Sequence, residues 1–308
     1  MSTSTASYVA ARAEVERSQS LQRLCDYVEL SKPRIVALEL VTVTVAAFVA
    51  GAGLPNLWLV VHALIGTVLV GAGASAWNQW LERDVDGRMD RTSDRPLPAR
   101  RLGPREVVWL GSAATVAGVA HLAYWVGPLT SALGLATWLL YVVVYTPLKL
   151  RTHANTLVGA VAGAMPVLMG WTAVGGRLDL SAATLFLIVF LWQFPHFMAI
   201  AWIYRREYAA AGMQMLSVVD PTGFRPGLQA VLAALALVPV SLLPAVAGFA
   251  GPIYFFWALI LGAGQLACAA AFLARRDDAT ARVLLRASLV YLPALLMWLM
   301  MGPLRSFG

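Results

Sequence analysis

Residues 58–90 read WLVVHALIGTVLVGAGASAWNQWLERDVDGRMD, an apolar run to about residue 80 that then turns abruptly to amide and carboxylate side chains. A helix of about 20 apolar residues crosses the ~30 Å hydrocarbon core of a bilayer. Backbone N–H and C=O groups find no partner in hydrocarbon, so a run this long and uniformly apolar must pair them internally, as a helix. Working outward from it, runs of the same kind recur along the chain, separated by short clusters of charge, Gly or Pro. The spans expected are 35–53, 58–80, 106–125, 129–147, 154–174, 180–203, 227–248, 252–273 and 284–303. The fold expected is an all-α polytopic membrane protein of nine transmembrane helices. Residues 21–308 form its one domain, behind a Ser-, Ala- and Thr-rich tail at 1–20 read as disordered. Composition agrees: of 308 residues, 59% are hydrophobic and 13% charged, which excludes an ordinary soluble domain.

The 23 Lys and Arg residues divide unevenly between alternate loops. Arg12, Arg17, Arg23, Lys32, Arg34, seven Arg between 83 and 105, Lys149, Arg151, Arg205, Arg206, Arg225, Arg275, Arg276, Arg282 and Arg286 fall on one side, and Arg177 and Arg305 on the other. The positive-inside rule then puts the N-terminus in the cytoplasm and the C-terminus outside a bacterial-type inner membrane. The net charge of +7 reads as topology and attraction to anionic lipid, with no nucleic acid implied. Cys25 and Cys268 are too far apart in kind and place to imply a disulfide or a metal cluster. Residues 21–31 set Leu21, Leu24 and Val28 on one helical face, which suits a short helix at the membrane interface. Ser31-Lys32-Pro33-Arg34 leads into the first span, with Pro33 at a helix start and Lys32 and Arg34 reaching out to headgroups.

Three clusters carry chemistry. In the first, Asn78, Glu82, Asp86 and Asp90 are spaced by four, which stacks oxygen ligands along one helical face. Such a row holds a hard cation such as Mg²⁺, which keeps several waters and prefers one or two carboxylates plus substrate phosphates. Downstream come Arg88, Arg91, Thr92, Arg95 and Arg100 among Asp90 and Asp94, with Pro96 and Pro98 stiffening the loop. Arginine forks match diphosphate oxygens. The plain alternative for Arg83, Arg100, Arg101 and Arg105 is a solvated basic loop. For Asn78, Glu82 and Asp86 that alternative is weaker, because polar groups closing an apolar span are costly without a purpose. The second cluster runs from Tyr145 through Lys149, Arg151 and His153 to Asn155, and its two cations would neutralise a leaving diphosphate.

The third cluster is Trp192-Gln193-Phe194-Pro195-His196-Phe197, followed by Trp202, Tyr204, Arg205, Arg206, Glu207 and Tyr208. Pro195 frees backbone carbonyls, and Gln193 and His196 among aromatics suggest a pocket for a large, flat, apolar ligand. A lone His is more often a hydrogen-bonded core residue. Glu39 is isolated in the first span and is expected to face the bundle interior. His62 and His121 each stand alone and read as structural.

With the three clusters in this order, the chain resembles the protohaem IX farnesyltransferases, or haem O synthases, of the UbiA prenyltransferase superfamily. The resemblance covers roughly residues 26–300. It runs from Lys32-Pro33-Arg34 through Asn78, Glu82, Asp86, Met89-Asp90-Arg91-Thr92 and Arg95-Pro96-Leu97. It continues with Tyr145-Thr146-Pro147-Leu148-Lys149, Asn155, Gly159, Gly163, Pro166 and Gly170-Trp171, and closes with Trp192-Gln193, Pro195-His196-Phe197, Glu207-Tyr208, Ala211-Gly212 and Met215-Leu216.

The resemblance implies a UbiA-type bundle around a central cavity and an Mg²⁺-dependent transfer of farnesyl from farnesyl diphosphate to a vinyl group of haem b. It implies Asn78, Glu82 and Asp86 as the diphosphate and metal motif, with Lys149 beside them in catalysis. Arg91, Arg95, Arg151, Tyr145, Gln193, His196, Arg205 and Glu207 are implied in substrate binding. A haem A synthase or oxidase assembly partner would receive the product. Glu82 stands where many prenyltransferases have Asp, and Tyr204, Arg205, Arg206 and Glu207 stand where a second Asp-rich motif is usual. Two other readings compete: an aromatic or quinone-precursor prenyltransferase, and a non-enzymatic haem-binding or transport protein. The carboxylate row beside an Arg-rich loop argues against the second, because transport needs no diphosphate site at the membrane surface.

Overall fold

The computed structural model describes residues 20–51 and 53–305. The tail expected at 1–20 lies outside them except for Ser20, which is already helical. A short helix α1 spans residues 20–30. Nine helices long and apolar enough to cross a bilayer follow among the described residues. They are α2 (Pro33–Ala50), α3 (Leu57–Asp86), α4 (Pro104–Trp125), α5 (Pro128–Leu148), α6 (Asn155–Ala173), α7 (Leu180–Ile203), α10 (Phe224–Val246), α11 (Pro252–Arg275) and α12 (Asp278–Arg305). Two short helices, α8 (Arg205–Ala210) and α9 (Leu216–Val219), separate α7 from α10. No strand occurs among the described residues. The protein is a multi-pass integral membrane protein.

The helix starts follow local chemistry. Proline opens α2, α4, α5 and α11, where its missing N–H costs nothing. The Asn56 side chain accepts from Trp58 N at 3.0 Å to cap α3, and Asp179 Oδ1 accepts from Ser181 N and Ala182 N to cap α7. Two boundaries differ from the sequence reading in ways that matter. Helix α3 continues to Asp86 instead of ending near 80, because nothing before Gly87 interrupts it. Helix α12 begins at Asp278, six residues before the expected start, since its first turn is polar and lies beyond the apolar run. Within α5, residues Leu139–Tyr145 form a π-helical segment. Such wide turns are rare and collect at functional sites.

Without a hydrophobic force between helices in lipid, small residues let backbones approach. Helices α3 and α4 meet along such a seam, where a Cβ on Gly73 would strike Thr115 and one on Gly118 would strike Leu69 and Val70. Helices α2, α3, α5, α6, α7 and α12 surround a central cavity, while α4, α10 and α11 brace them from outside. A packed plug of Val45, Val49, Val167, Trp171, Leu185, Ile188, Leu292, Leu295 and Leu299 forms one apolar core away from the charged loops. Outward-facing Trp109, Tyr124, Val246 and Phe256 present the exposed apolar surface that lipid covers.

At the charged end, α1 is tied down by ions. Arg101 meets Asp26 at 2.8 Å, Glu29 at 3.0 Å and Asp94 at 3.0 Å, while Arg23 and Tyr27 both reach Glu106 on α4. Leu21, Leu24 and Val28 stay exposed, as an interfacial helix requires.

Candidate active site

The end of α3 carries Asn78, Glu82 and Asp86 one turn apart, and all three are buried. Each is met by a different element. Asn78 Nδ2 donates to Thr146 Oγ1 at 3.0 Å, and its Oδ1 accepts from Lys32 Nζ at 2.5 Å. Glu82 Oε1 pairs with Lys149 Nζ at 2.7 Å, and Asp86 Oδ2 with Arg95 Nη1 at 2.6 Å. The expected fourth member, Asp90, is not in the row. Gly87 ends the helix one residue after Asp86, and Asp90 sits exposed in the following turns.

Glu82 Oε2 and Asp86 Oδ1 have no protein partner among the described residues, and the Asn78 carbonyl keeps one lone pair. Oxygens one helical turn apart, on Asn78 and Glu82 or on Glu82 and Asp86, keep free acceptor capacity on one face and fit Mg²⁺ that completes its shell with water and phosphate. No cluster of three His, Cys, Asp or Glu that could hold a metal alone occurs among the described residues. The donor set therefore suits a metal that arrives with its substrate.

Lys32 was read as reaching out to headgroups, and the structure turns it inward. Its backbone is left-handed (φ 51°) directly before Pro33, a costly conformation for a non-glycine residue, and this aims the ammonium at Asn78. Burial, with Arg95 nearby, pushes its pKa down to about 7. Lys149 experiences the same burial, but the Glu82 carboxylate outweighs it and holds its pKa above the ordinary lysine value. Its Nζ also lies 4.6 Å from the Tyr145 ring centre. The π-helical segment sets this geometry, since Tyr145 ends it and Thr146, which bonds Asn78, donates back to Tyr141 O at 2.8 Å.

Below this charged mouth lies a cavity of about 440 Å³, within the usual range for small-molecule sites. Arg34 and Tyr145 line its upper part, Glu39, Thr42, Gly71 and Tyr141 its sides, and Gln193, His196, Trp192 and Phe197 its far wall. Pro195 puts no break into α7, which runs through it. Gln193 lines the cavity, yet its amide nitrogen is spent on Ala160 O (2.9 Å) and Val189 O (3.2 Å), so it braces α7 against α6. His196 stacks on Trp192, and its Nδ1 lies 2.9 Å from Ser288 Oγ on α12. Ser288 Oγ donates its single hydrogen to Leu285 O at 2.7 Å. It must therefore accept from His196, which assigns the imidazole proton to Nδ1 and leaves Nε2 with a free lone pair for an occupant of the cavity.

The other expected residues divide into two groups. Arg91 lies over the Tyr204 ring at 4.4 Å and reaches Tyr208 Oη at 3.2 Å, which joins the α3–α4 loop to α8. Glu207 is half-buried with Oε2 unpartnered. Glu207 lies on the segment that replaces a second acidic motif, and Arg91 reaches that segment from the α3–α4 loop. Arg205 instead pairs with Asp278 Oδ1 at 2.7 Å and lies over Trp202, binding α8 to the start of α12, and Arg151 is exposed at the surface. His62 and His121 do not stand alone: they meet at 3.0 Å, with His62 stacked on Trp125.

A nine-span bundle that places a cation-lined acidic row over an apolar cavity is the architecture of an intramembrane transferase. The chain belongs to the UbiA prenyltransferase family, whose model matches residues 40–300, and is a prenyltransferase. It is similar to proteins named protohaem IX farnesyltransferase from Solibacter usitatus, at 42% identity over 87% of this chain and 95% of the relative, and from Rhodopirellula baltica, at 42% over 88% and 97%. Its fold is similar to that of a UbiA homologue from Archaeoglobus fulgidus solved with GPP and Mg²⁺, with a TM-score of 0.68 at 17% identity over 90% of this chain and 99% of that one.

Proposed function

We propose that this prenyltransferase moves the farnesyl group of farnesyl diphosphate onto a vinyl group of haem b, giving haem O. One observation carries the reading: a cluster of cations and carboxylates adjoins, through Tyr145, an apolar cavity whose far wall offers an uncommitted imidazole nitrogen. The names of the S. usitatus and R. baltica relatives support the acceptor and the farnesyl donor, and the GPP- and Mg²⁺-bound archaeal homologue supports the diphosphate end.

In this reading the row of Asn78, Glu82 and Asp86 would hold Mg²⁺, which would neutralise charge on the leaving diphosphate. Lys32, Lys149, Arg95 and Arg91 surround the diphosphate, and Arg34, Arg151 and Glu207 border its approach. Lys149 and Arg95 are preorganised donors: they exchange a carboxylate partner for phosphate oxygens as the allylic C–O bond breaks, which is where fixed charge lowers the barrier most. Tyr145 bounds the allylic end of the prenyl chain with its ring. The apolar walls exclude bulk water from the carbocation, and His196 would offer its free Nε2 lone pair to haem iron. The clustering of Arg and Lys on the loops of this end supports an orientation toward the cytoplasm of an inner membrane, with the C-terminus outside.

The test is a purified protein in detergent with haem b, farnesyl diphosphate and Mg²⁺, the haem followed by chromatography and mass. Farnesylated haem whose formation stops with EDTA supports both the reaction and its metal. Prenylation of an aromatic acid in place of haem moves the protein to the quinone-precursor reading.

A further inference from the structure

The cavity wall carries one carboxylate that neither the diphosphate cluster nor the His196 wall uses. Glu39, near the middle of α2, lines the cavity and has no hydrogen-bond or ion-pair partner for its side chain among the described residues. It extends toward α3 at Gly71, where a Cβ would stand 3.0 Å from Glu39 Oε2. The bare glycine leaves the carboxylate its room. A lone acid in an apolar span is costly and marks a function by default.

The proposed reaction leaves one task for such a group. When the terminal vinyl carbon of haem uses its π pair to bond farnesyl C1, the C1–O pair departs with diphosphate. The inner vinyl carbon, next to the macrocycle, is left positive. A water lone pair closes the C–O bond there, and that water must lose one proton to become the neutral alcohol. In this reading Glu82 and Asp86 are taken up by the metal and cations of the mouth, and Glu207 stands outside the cavity lining. Tyr141 and Tyr145 are acids, the Gln193 nitrogen is spent on helix carbonyls, and His196 is committed to the haem iron in this reading. We propose that Glu39 is the catalytic base that takes the proton of the water completing the product. The inference rests on haem as the acceptor.

The experiment compares wild type with Glu39→Gln, which keeps the shape of the side chain and cannot take the proton. The full chain in detergent is given haem b, farnesyl diphosphate and Mg²⁺ in ¹⁸O-labelled water, and products are separated by mass. The result expected for the variant is a fall of about 100-fold in ¹⁸O-hydroxylated haem, the size a positioned base supplies. Farnesylated haem without the added oxygen takes its place as the cation loses a carbon-bound proton. Haem and a non-hydrolysable diphosphate analogue bind as in wild type, and Glu39→Asp recovers part of the hydroxylation. Hydroxylated haem formed by Glu39→Gln at the wild-type rate overturns the role of Glu39 alone. A wild-type protein that prenylates no haem overturns the acceptor reading and this role with it.

Discussion

The two ends of the cavity hold their polar groups in opposite ways. At the mouth, each buried carboxylate of α3 is matched by a cation from another element: Lys149 after α5, Arg95 in the α3–α4 loop, with Lys32 on the neighbouring amide. At the far wall, polar groups are satisfied by neutral partners, His196 by Ser288 and Gln193 by helix carbonyls. The mouth holds three cations against two carboxylates, a set that in the proposed reaction a diphosphate and its metal enter by exchange. The far wall is a neutral surface that fixes orientation without field. In the proposed reaction, ionisation belongs where charge is concentrated, and a large flat acceptor where it is not.

The sharpest way to break this division is Asp86→Asn. It removes one of the two carboxylates and leaves Arg95 unpaired, so turnover is expected to fall by 100-fold or more, on the scale of removing one preorganised transition-state group, while size-exclusion elution in detergent stays that of the folded protein. Full activity would end the metal assignment. Lys32→Met is next: removing a buried donor to Asn78 and a diphosphate cation is expected to weaken binding of a non-hydrolysable farnesyl diphosphate analogue about tenfold, on the scale of ~1.4 kcal/mol, with haem affinity unchanged by titration.

His196→Ala works from the other side. Haem affinity is expected to drop about tenfold and the haem absorption spectrum to lose its nitrogen-ligated form, with the analogue still bound normally, a 1–2 kcal/mol effect typical of losing one such contact. Ser288→Ala should give a smaller shift in the same spectrum, because it frees the tautomer without removing the ring. A larger effect on the diphosphate analogue than on haem would reverse the two ends. The smallest effect belongs to Arg205→Ala, whose partner Asp278 is 43% exposed. It should cost under ~1 kcal/mol of thermal stability and leave kcat unchanged.

Sequence alone made the fold legible because lipid imposes one rule along the whole chain: pair the backbone internally and stay apolar for a membrane thickness. The Asn78, Glu82 and Asp86 row was legible for the opposite reason, since it interrupts that rule at helical spacing. Lys32 was misread because a lysine at a helix start satisfies the positive-inside pattern whichever way it points. Only the left-handed backbone before Pro33 turns it inward. Arg205 was overvalued by its place beside Glu207 and Tyr208; its partner Asp278 is 73 positions away and invisible to local spacing. Ser288 carried no signal, being one serine in an apolar span whose importance comes from which helix faces it. Asp90 shows the limit of periodicity, which runs on past a glycine where the helix does not.

The π-helical stretch of α5 makes this enzyme sensitive to length as well as to composition. Each residue along a helix turns the next by about 100°, so the wide turn acts as an inserted spacer that rotates all that follows it. Thr146 and Lys149 lie just beyond that spacer and meet Asn78 and Glu82 on α3. Deleting one apolar residue between Leu139 and Val144 would change hydropathy hardly at all, yet it would swing Lys149 away from Glu82. Insertions and deletions within this single span are therefore a class of lesion that substitution scanning would never reveal.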